Sequence, residues 1–211
     1  AGNPQRLAER TGTQQWARSW RPDGRFLAFN QQNPGTNMDI LTLSMEGNEK
    51  SGWKPGEPIP FVNSAFGEWA PAFSPDGQWL AYISNESGRW EVYVRPFPGP
   101  GGKAQVSTGG GFPPEWSRNS KELFYRTLDN KIMVATYTAS GNSFHADKPH
   151  LWSPGQFTDR GATYNFALHP DGKRFAVLKA PGTEQTAAVN KVIIVQNWFD
   201  ELKRRVPAGS K

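Results

Sequence analysis

The chain has no cysteine, and only three histidines and three methionines among its 211 residues. Without thiols it can form no disulfide, no thiolate zinc site and no cysteine nucleophile, and it suits oxidising and reducing compartments alike. Long apolar runs are also missing. Nothing approaches the roughly 20 residues that span a bilayer, and the opening AGNPQRLAER has no apolar segment like that of a secretory leader. Direct membrane insertion is therefore not expected. Neither sign of charge dominates: 24 basic and 19 acidic side chains leave a net +5, and the one basic cluster, Lys203, Arg204 and Arg205, is too small for a nucleic-acid groove. No nucleic-acid partner is expected. The glycine-rich stretches GPGGK (99–103) and TGGG (108–111) lack the Gly-Lys-Ser/Thr ending of a phosphate-cradling loop.

Glycine and proline, in contrast, are plentiful, with 22 and 18 residues against an apolar fraction of 36%. Adding glycine brings the apolar share to that of an ordinary globular protein, so the chain can bury a core. The excess of turn residues predicts many short elements and favours β structure. Four copies of one unit carry that excess: QQWARSWRPDGRFLAF (14–29), GEWAPAFSPDGQWLAY (67–82), GGFPPEWSRNSKELFY (110–125) and ATYNFALHPDGKRFAV (162–177). Their turn positions, Asp23, Asp76, Asn119 and Asp171, are 53, 43 and 52 residues apart. Periods near that length, with several strands in each, belong to propeller blades.

Before each turn, bulky side chains recur at every second position: Trp16, Arg18, Trp20; Trp69, Pro71, Phe73; Phe112, Pro114, Trp116; Tyr164, Phe166, Leu168. That period predicts a first strand. After the turn comes a near-continuous apolar run, such as Trp79-Leu80-Ala81-Tyr82, suited to a strand buried on both faces. Third strands are predicted over 38–43, 90–97, 131–138 and 191–198. The Pro-Asp-Gly corner suits a tight hairpin, because Pro presets φ, Asp accepts from amides of its own turn and Gly takes positive φ. The competing reading makes these aspartates catalytic or calcium-binding. The last unit runs into NWFDELKRRVP, read as a short C-terminal helix over 198–206, and lacks a fourth strand. An N-terminal strand over 5–10 resembles the outer strand at 103–111 and is expected to complete the last blade, leaving no bare edge. The expected fold is all-β: one β-propeller domain, 1–211, of four four-stranded blade units at about 12–62, 63–108, 109–160 and 161–198.

Trp20-Arg21-Pro22-Asp23-Gly24, Phe73-Ser74-Pro75-Asp76-Gly77 and Leu168-His169-Pro170-Asp171-Gly172, each followed by an apolar strand, resemble the TolB-like propeller repeat. The ending VIIVQNWFDELKRRVP is similar to that of propellers attached to bacterial membrane-anchored serine/threonine kinases. The resemblance implies a sensor or protein-interaction module of a larger bacterial protein, on the periplasmic or otherwise extracytoplasmic side. No kinase element is in the chain, neither the Gly-rich loop with its lysine nor an HRD or DFG set. Propellers of this kind usually have six or more blades, so four units imply a small ring or an open arc. Apolar blade faces on an arc favour a homo-oligomer, a dimer closing a larger ring.

Loops leading into the innermost strands converge at a propeller's channel mouth, where ligands bind. Gln15, Glu68, Trp69, Phe112, Tyr164 and Asn165 are placed there, with Glu115 further along its strand, as the candidate site for a protein or small-molecule ligand. Trp16, Trp69, Phe112 and Tyr164 also fit packing between blades. Glu68, Glu115 and Asn165 are oxygen donors of the kind hard cations choose. His145, Asp147 and His150 could share one cation, or belong to a polar surface strand. No cofactor is expected beyond such a divalent cation, calcium or zinc. Two functions stay open: a noncatalytic binding module, and a metal-assisted hydrolase of esters, lactones or phosphotriesters working at the channel mouth. No catalytic residue is assigned, since no Gly-x-Ser-x-Gly elbow or Ser-His-Asp set is recognisable.

Overall fold

Each hairpin corner folds as its residues dictate. The carboxylates of Asp23, Asp76 and Asp171 accept from the amides two residues on, Arg25 at 2.9 Å, Gln78 at 3.0 Å and Lys173 at 2.9 Å. Gly24, Gly77 and Gly172 take φ of 71°, 68° and 70°, a region open to glycine at little cost. These aspartates therefore bind their own backbone. The Lys173 amide is the first of the contacts that lower the Asp171 carboxyl to about 2. His169 belongs to the same corner, its ring nitrogen accepting from the Asp171 amide at 3.2 Å.

The computed structural model describes residues 7–8, 13–48, 50–118, 121–153 and 166–177. The chain divides into two compact units, Ala1–Ala180 and Pro181–Lys211, of which the second lies outside the described residues. The first blade holds β1 (Gln15–Trp20), β2 (Phe26–Asn33), β3 (Asn37–Asn48), β4 (Gly52–Pro55) and β5 (Ile59–Val62), ordered β1-β2-β3-β4 with β5 also on β3. The second is β6 (Glu68–Phe73), β7 (Trp79–Ser84), β8 (Glu91–Pro96) and β9 (Ala104–Gln105), in that order. The third is β10 (Phe112–Trp116), β11 (Glu122–Arg126), β12 (Ile132–Ser140) and β13 (Ser143–Ala146), with β14 (His150–Ser153) also on β12. A fourth sheet pairs β15 (Phe166–Leu168) with β16 (Phe175–Val177). All of these pairings are antiparallel, as in propeller blades. The third strand predicted at 191–198 and the helix predicted at 198–206 fall outside the described residues. Of the predicted strand 5–10, Leu7 and Ala8 are described and are not in a strand; Leu7 packs on Leu27, Phe29, Leu41, Leu43 and Met45 of the first blade. Among the described residues no helix is long and apolar enough to cross a membrane.

The second strands β7 and β11 each join two neighbours, because successive side chains point to opposite faces. On β7, Leu80 and Tyr82 enter a core with Ala28, Ile40 and Val62 of the first blade. Trp79, Ala81 and Ile83 enter another with Leu123, Tyr125, Ala135 and Tyr137 of the third. On β11 the neighbouring Phe124 turns the other way, towards Phe166 of the fourth sheet. Burying one such large side chain contributes about 1.5–3 kcal/mol.

The first strands depart from the strict alternation predicted for them. Their pairing with the second strands shifts register at the same place in three blades, between Ala17 and Ser19, between Trp69 and Ala72, and between Phe112 and Glu115. Pro71, Pro113 and Pro114 cannot donate to a ladder, and Ala70 takes φ of 54°, so a bulge replaces regular pairing. Past the bulge, consecutive residues rather than alternate ones line a common hollow.

The first two corners make different demands on their glycines. A Cβ on Gly24 would meet nothing within 4 Å, whereas one on Gly77 would lie 2.8 Å from Nε of Arg21, which donates to the Gly77 carbonyl at 3.0 Å. Gly24→Ala is expected to cost about 1 kcal/mol for backbone conformation alone, and Gly77→Ala clearly more. Urea unfolding of both variants checks the order; equal losses would contradict it.

Candidate functional site

Three blades contribute equivalent residues to one hollow. A cavity of about 680 Å³ is lined by Arg18, Ser19, Trp20 and Pro22 of the first repeat, by Pro71, Ala72, Phe73 and Pro75 of the second, and by Pro114, Glu115, Trp116 and Arg118 of the third. In the aligned copies these are the same four positions. The cavity therefore sits where the inner strands converge, past their bulges and beside the Pro-Asp-Gly corners. A hydrogen bond crosses its wall: Trp116 Nε1 donates to the Ala72 carbonyl at 2.9 Å, joining the third blade to the second. Trp20 is 49% exposed. Arg18 donates to Asn30 Oδ1 at 3.2 Å and lies 5.6 Å above the Trp69 ring.

Of the residues predicted to bind ligand, Glu115 belongs to this cavity. Burial pushes its carboxyl above the ordinary range, while a backbone bond from Leu168 and the Arg118 charge pull it back. Gln15, Glu68, Trp69 and Phe112 stand instead at the opposite ends of β1, β6 and β10. Trp69 packs on Trp16 with centroids 5.5 Å apart, and Phe112 lies 6.2 Å from Trp90, so both aromatic groups bridge adjacent blades. Tyr164 and Asn165 lie outside the described residues. Arg18, Trp20, Trp116 and Arg118 were not predicted as site residues; the bulge that aims them inwards is signalled in sequence only by Pro71, Pro113 and Pro114.

The mouth end carries a buried polar network. Gln15 donates to Gln31 at 2.8 Å, Gln31 to Asn33 at 3.1 Å, and Asn33 to Asp39. Asn30, fully buried, donates to the carbonyl of Glu68 at 2.9 Å and accepts from the Ala70 amide at 3.2 Å, fastening the first blade to the second. The predicted metal residues are spread over separate places. Glu68 opens β6, and its counterpart in the third repeat, Gly111, precedes Glu115 by four residues, up to about 13 Å of strand. His145 and Asp147 form an exposed pair 3.8 Å apart on the outer edge of the third blade, and His150 is exposed on β14. Among the described residues no three of His, Asp or Glu gather around one point.

The raised Glu115 carboxyl has a pH consequence. A carboxyl whose folded value exceeds its unfolded one stabilises the fold fully below the unfolded value, and that stability is lost as pH rises through the folded value. Glu115→Gln should therefore gain on the wild type as pH rises from about 4.5 towards neutrality. Urea midpoints across that interval measure the gain; parallel curves would contradict it.

No protein-family model matches the chain, and no curated protein does. Solved structures do. A protein designated TolB from Agrobacterium tumefaciens superposes with a TM-score of 0.47 at 15% identity over 65% of this chain and 50% of its own. TolB from Acinetobacter baumannii gives 0.34 at 14% identity over 64% and 44%. A protein designated 6-phosphogluconolactonase from Bacteroides uniformis gives 0.50 at 19% identity over 75% and 46%. The chain thus spans about half the length of these structures, and what it shares with the Bacteroides protein is the fold: sheets of antiparallel strands arranged as blades of a β-propeller.

Proposed function

We propose that the chain is a noncatalytic binding module whose ligand site is the axial cavity, and that it takes protein segments carrying an acidic group. The observation behind this reading is the wall of the cavity, to which three blades give the same inner-strand and turn positions. Aromatic and prolyl faces from Trp20, Phe73, Trp116, Pro71 and Pro114 line the cavity together with Arg18 and Arg118. Buried aromatic and arginine side chains are what anchor most protein partners, and guanidinium pairs with carboxylate through two parallel bonds. Metal-assisted hydrolysis in this cavity would need carboxylates converging on one cation there, whereas Glu115 is the one carboxylate in its described lining. The geometry favours binding.

The wider setting rests on the resemblance to TolB-like propellers. It points to an extracytoplasmic interaction module of a larger bacterial protein.

Fluorescence anisotropy with labelled acidic, neutral and basic peptides of equal length tests the site. Acidic peptides rich in apolar residues should bind best, and Arg118→Glu or Trp20→Ala should weaken them about ten-fold or more, while His145→Ala leaves them unchanged. Binding indifferent to peptide charge and to both cavity substitutions would contradict the proposal.

A further inference from the structure

The network between the first two blades holds more negative charge than its donors satisfy. Asp39 on β3 and Glu68 on β6 are each 1% exposed. Asp39 Oδ2 accepts from Asn33 Nδ2 and from Thr36 Oγ1, the latter at 2.9 Å, and Glu68 Oε1 accepts from Ser64 Oγ. The other oxygen of each, Asp39 Oδ1 and Glu68 Oε2, is buried without a hydrogen-bond partner. One amide ties the two residues together: Asn30 Nδ2 donates to the carbonyl of Glu68 at 2.9 Å and reaches that of Asp39 at 3.4 Å. Burial pushes the Glu68 carboxyl up against the bonds from Ser64, and the charges of Asp39 and Glu86 add to the push.

The next interface handles the same position differently. By register and repeat alignment, Glu91 on β8 is the counterpart of Asp39, Ser107 of Ser64, and Gly111 of Glu68. Glu91 Oε2 accepts from Ser107 Oγ, and its Oε1 accepts from the Gly110 amide at 2.9 Å with Arg89 Nε 3.6 Å away. There, one carboxylate has both oxygens satisfied. Here, two carboxylates each keep a bare oxygen. Burying such a charge uncompensated costs several kcal/mol, so the pair calls for a countercharge.

We propose that a hard divalent cation, calcium in particular, binds between Asp39 and Glu68 and pins the loops at 33–37 and 63–67. The oxygens gathered there are those of two carboxylates and of the Thr36 and Ser64 hydroxyls, while Asn33 turns its Nδ2 to Asp39 and its Oδ1 to Gln31. Calcium accepts an irregular oxygen cage of six to eight ligands, some of them water, whereas zinc prefers nitrogen and sulfur. From Asp39 the chain Asn33, Gln31, Gln15 leads to the channel mouth. The cation would hold that rim in place. This site is separate from the axial cavity and does not rest on the ligand assigned to it.

Two titrations of the wild-type chain test the proposal without any variant. Terbium bound beside Trp69 should emit on indole excitation, saturably, and calcium should displace it. Calcium at a hundred times its dissociation constant should raise the melting temperature by roughly 5 °C or more. Glu68→Gln and Asp39→Asn should each weaken calcium about ten-fold or more, with Glu115→Gln as an unaffected control. The proposal is overturned if millimolar calcium neither displaces terbium nor shifts melting, or if calcium binding survives both substitutions. It is equally overturned if Glu68→Gln cancels a pH dependence of stability on which calcium has no effect, since the countercharge is then a shared proton.

Discussion

A β-strand sends successive side chains to opposite faces, and on the middle strands of this chain both faces are covered by protein. Trp79 and Leu80 are adjacent in sequence yet belong to different cores, one shared with the third blade and one with the first. The same division falls between Leu123 and Phe124. The second and third blades bury their second strands only with a neighbour on each side, so the stability of these sheets is shared between blades. Placement of the inner strands, the corners and the cavity all follow from that mutual covering.

The cavity opens where this regularity gives way. In three blades the inner strand loses its register at the same point, and the residues after the bulge line a common hollow. Repetition thus produces a site with pseudo-symmetric walls and unsymmetric chemistry. Ser19, Ala72 and Glu115 occupy one position, and Pro22, Pro75 and Arg118 another. The mouth varies the theme in the same way, with Glu68 facing Asp39 at one interface and Gly111 leaving Glu91 alone at the next.

Much of the fold was legible in sequence because it depends on short-range signals. Pro-Asp-Gly fixes a hairpin through Asp76 and Gly77 themselves, and a run such as Trp79 to Tyr82 announces a strand covered on both sides. The site was less legible, since it depends on where strands go irregular. Pro113 and Pro114 hint at a bulge, but the bulge at Ala17 to Ser19 has no proline, and Arg18 and Trp20 read there as ordinary alternating positions. Glu115 stands out in the sequence as an oxygen donor further along its strand, but it belongs to the cavity rather than to the mouth. Asp39 carried a signal that reads more clearly with the register known: an acid inside the apolar strand MDILTL, matched by Glu91 in WEVYV.

Double-mutant cycles across the blade interfaces test the mutual covering most directly. Trp79 meets Phe144 of the third blade with centroids 5.1 Å apart, and Phe26 of the first blade meets Phe97 of the second at 5.0 Å. Leucine substitutions in each pair should couple by about 0.5 kcal/mol or more, while Trp79 with Phe26, on opposite faces of the second blade, should be additive within about 0.5 kcal/mol. Strong coupling of Trp79 with Phe26, or none within either contacting pair, would contradict the radial stacking of blades.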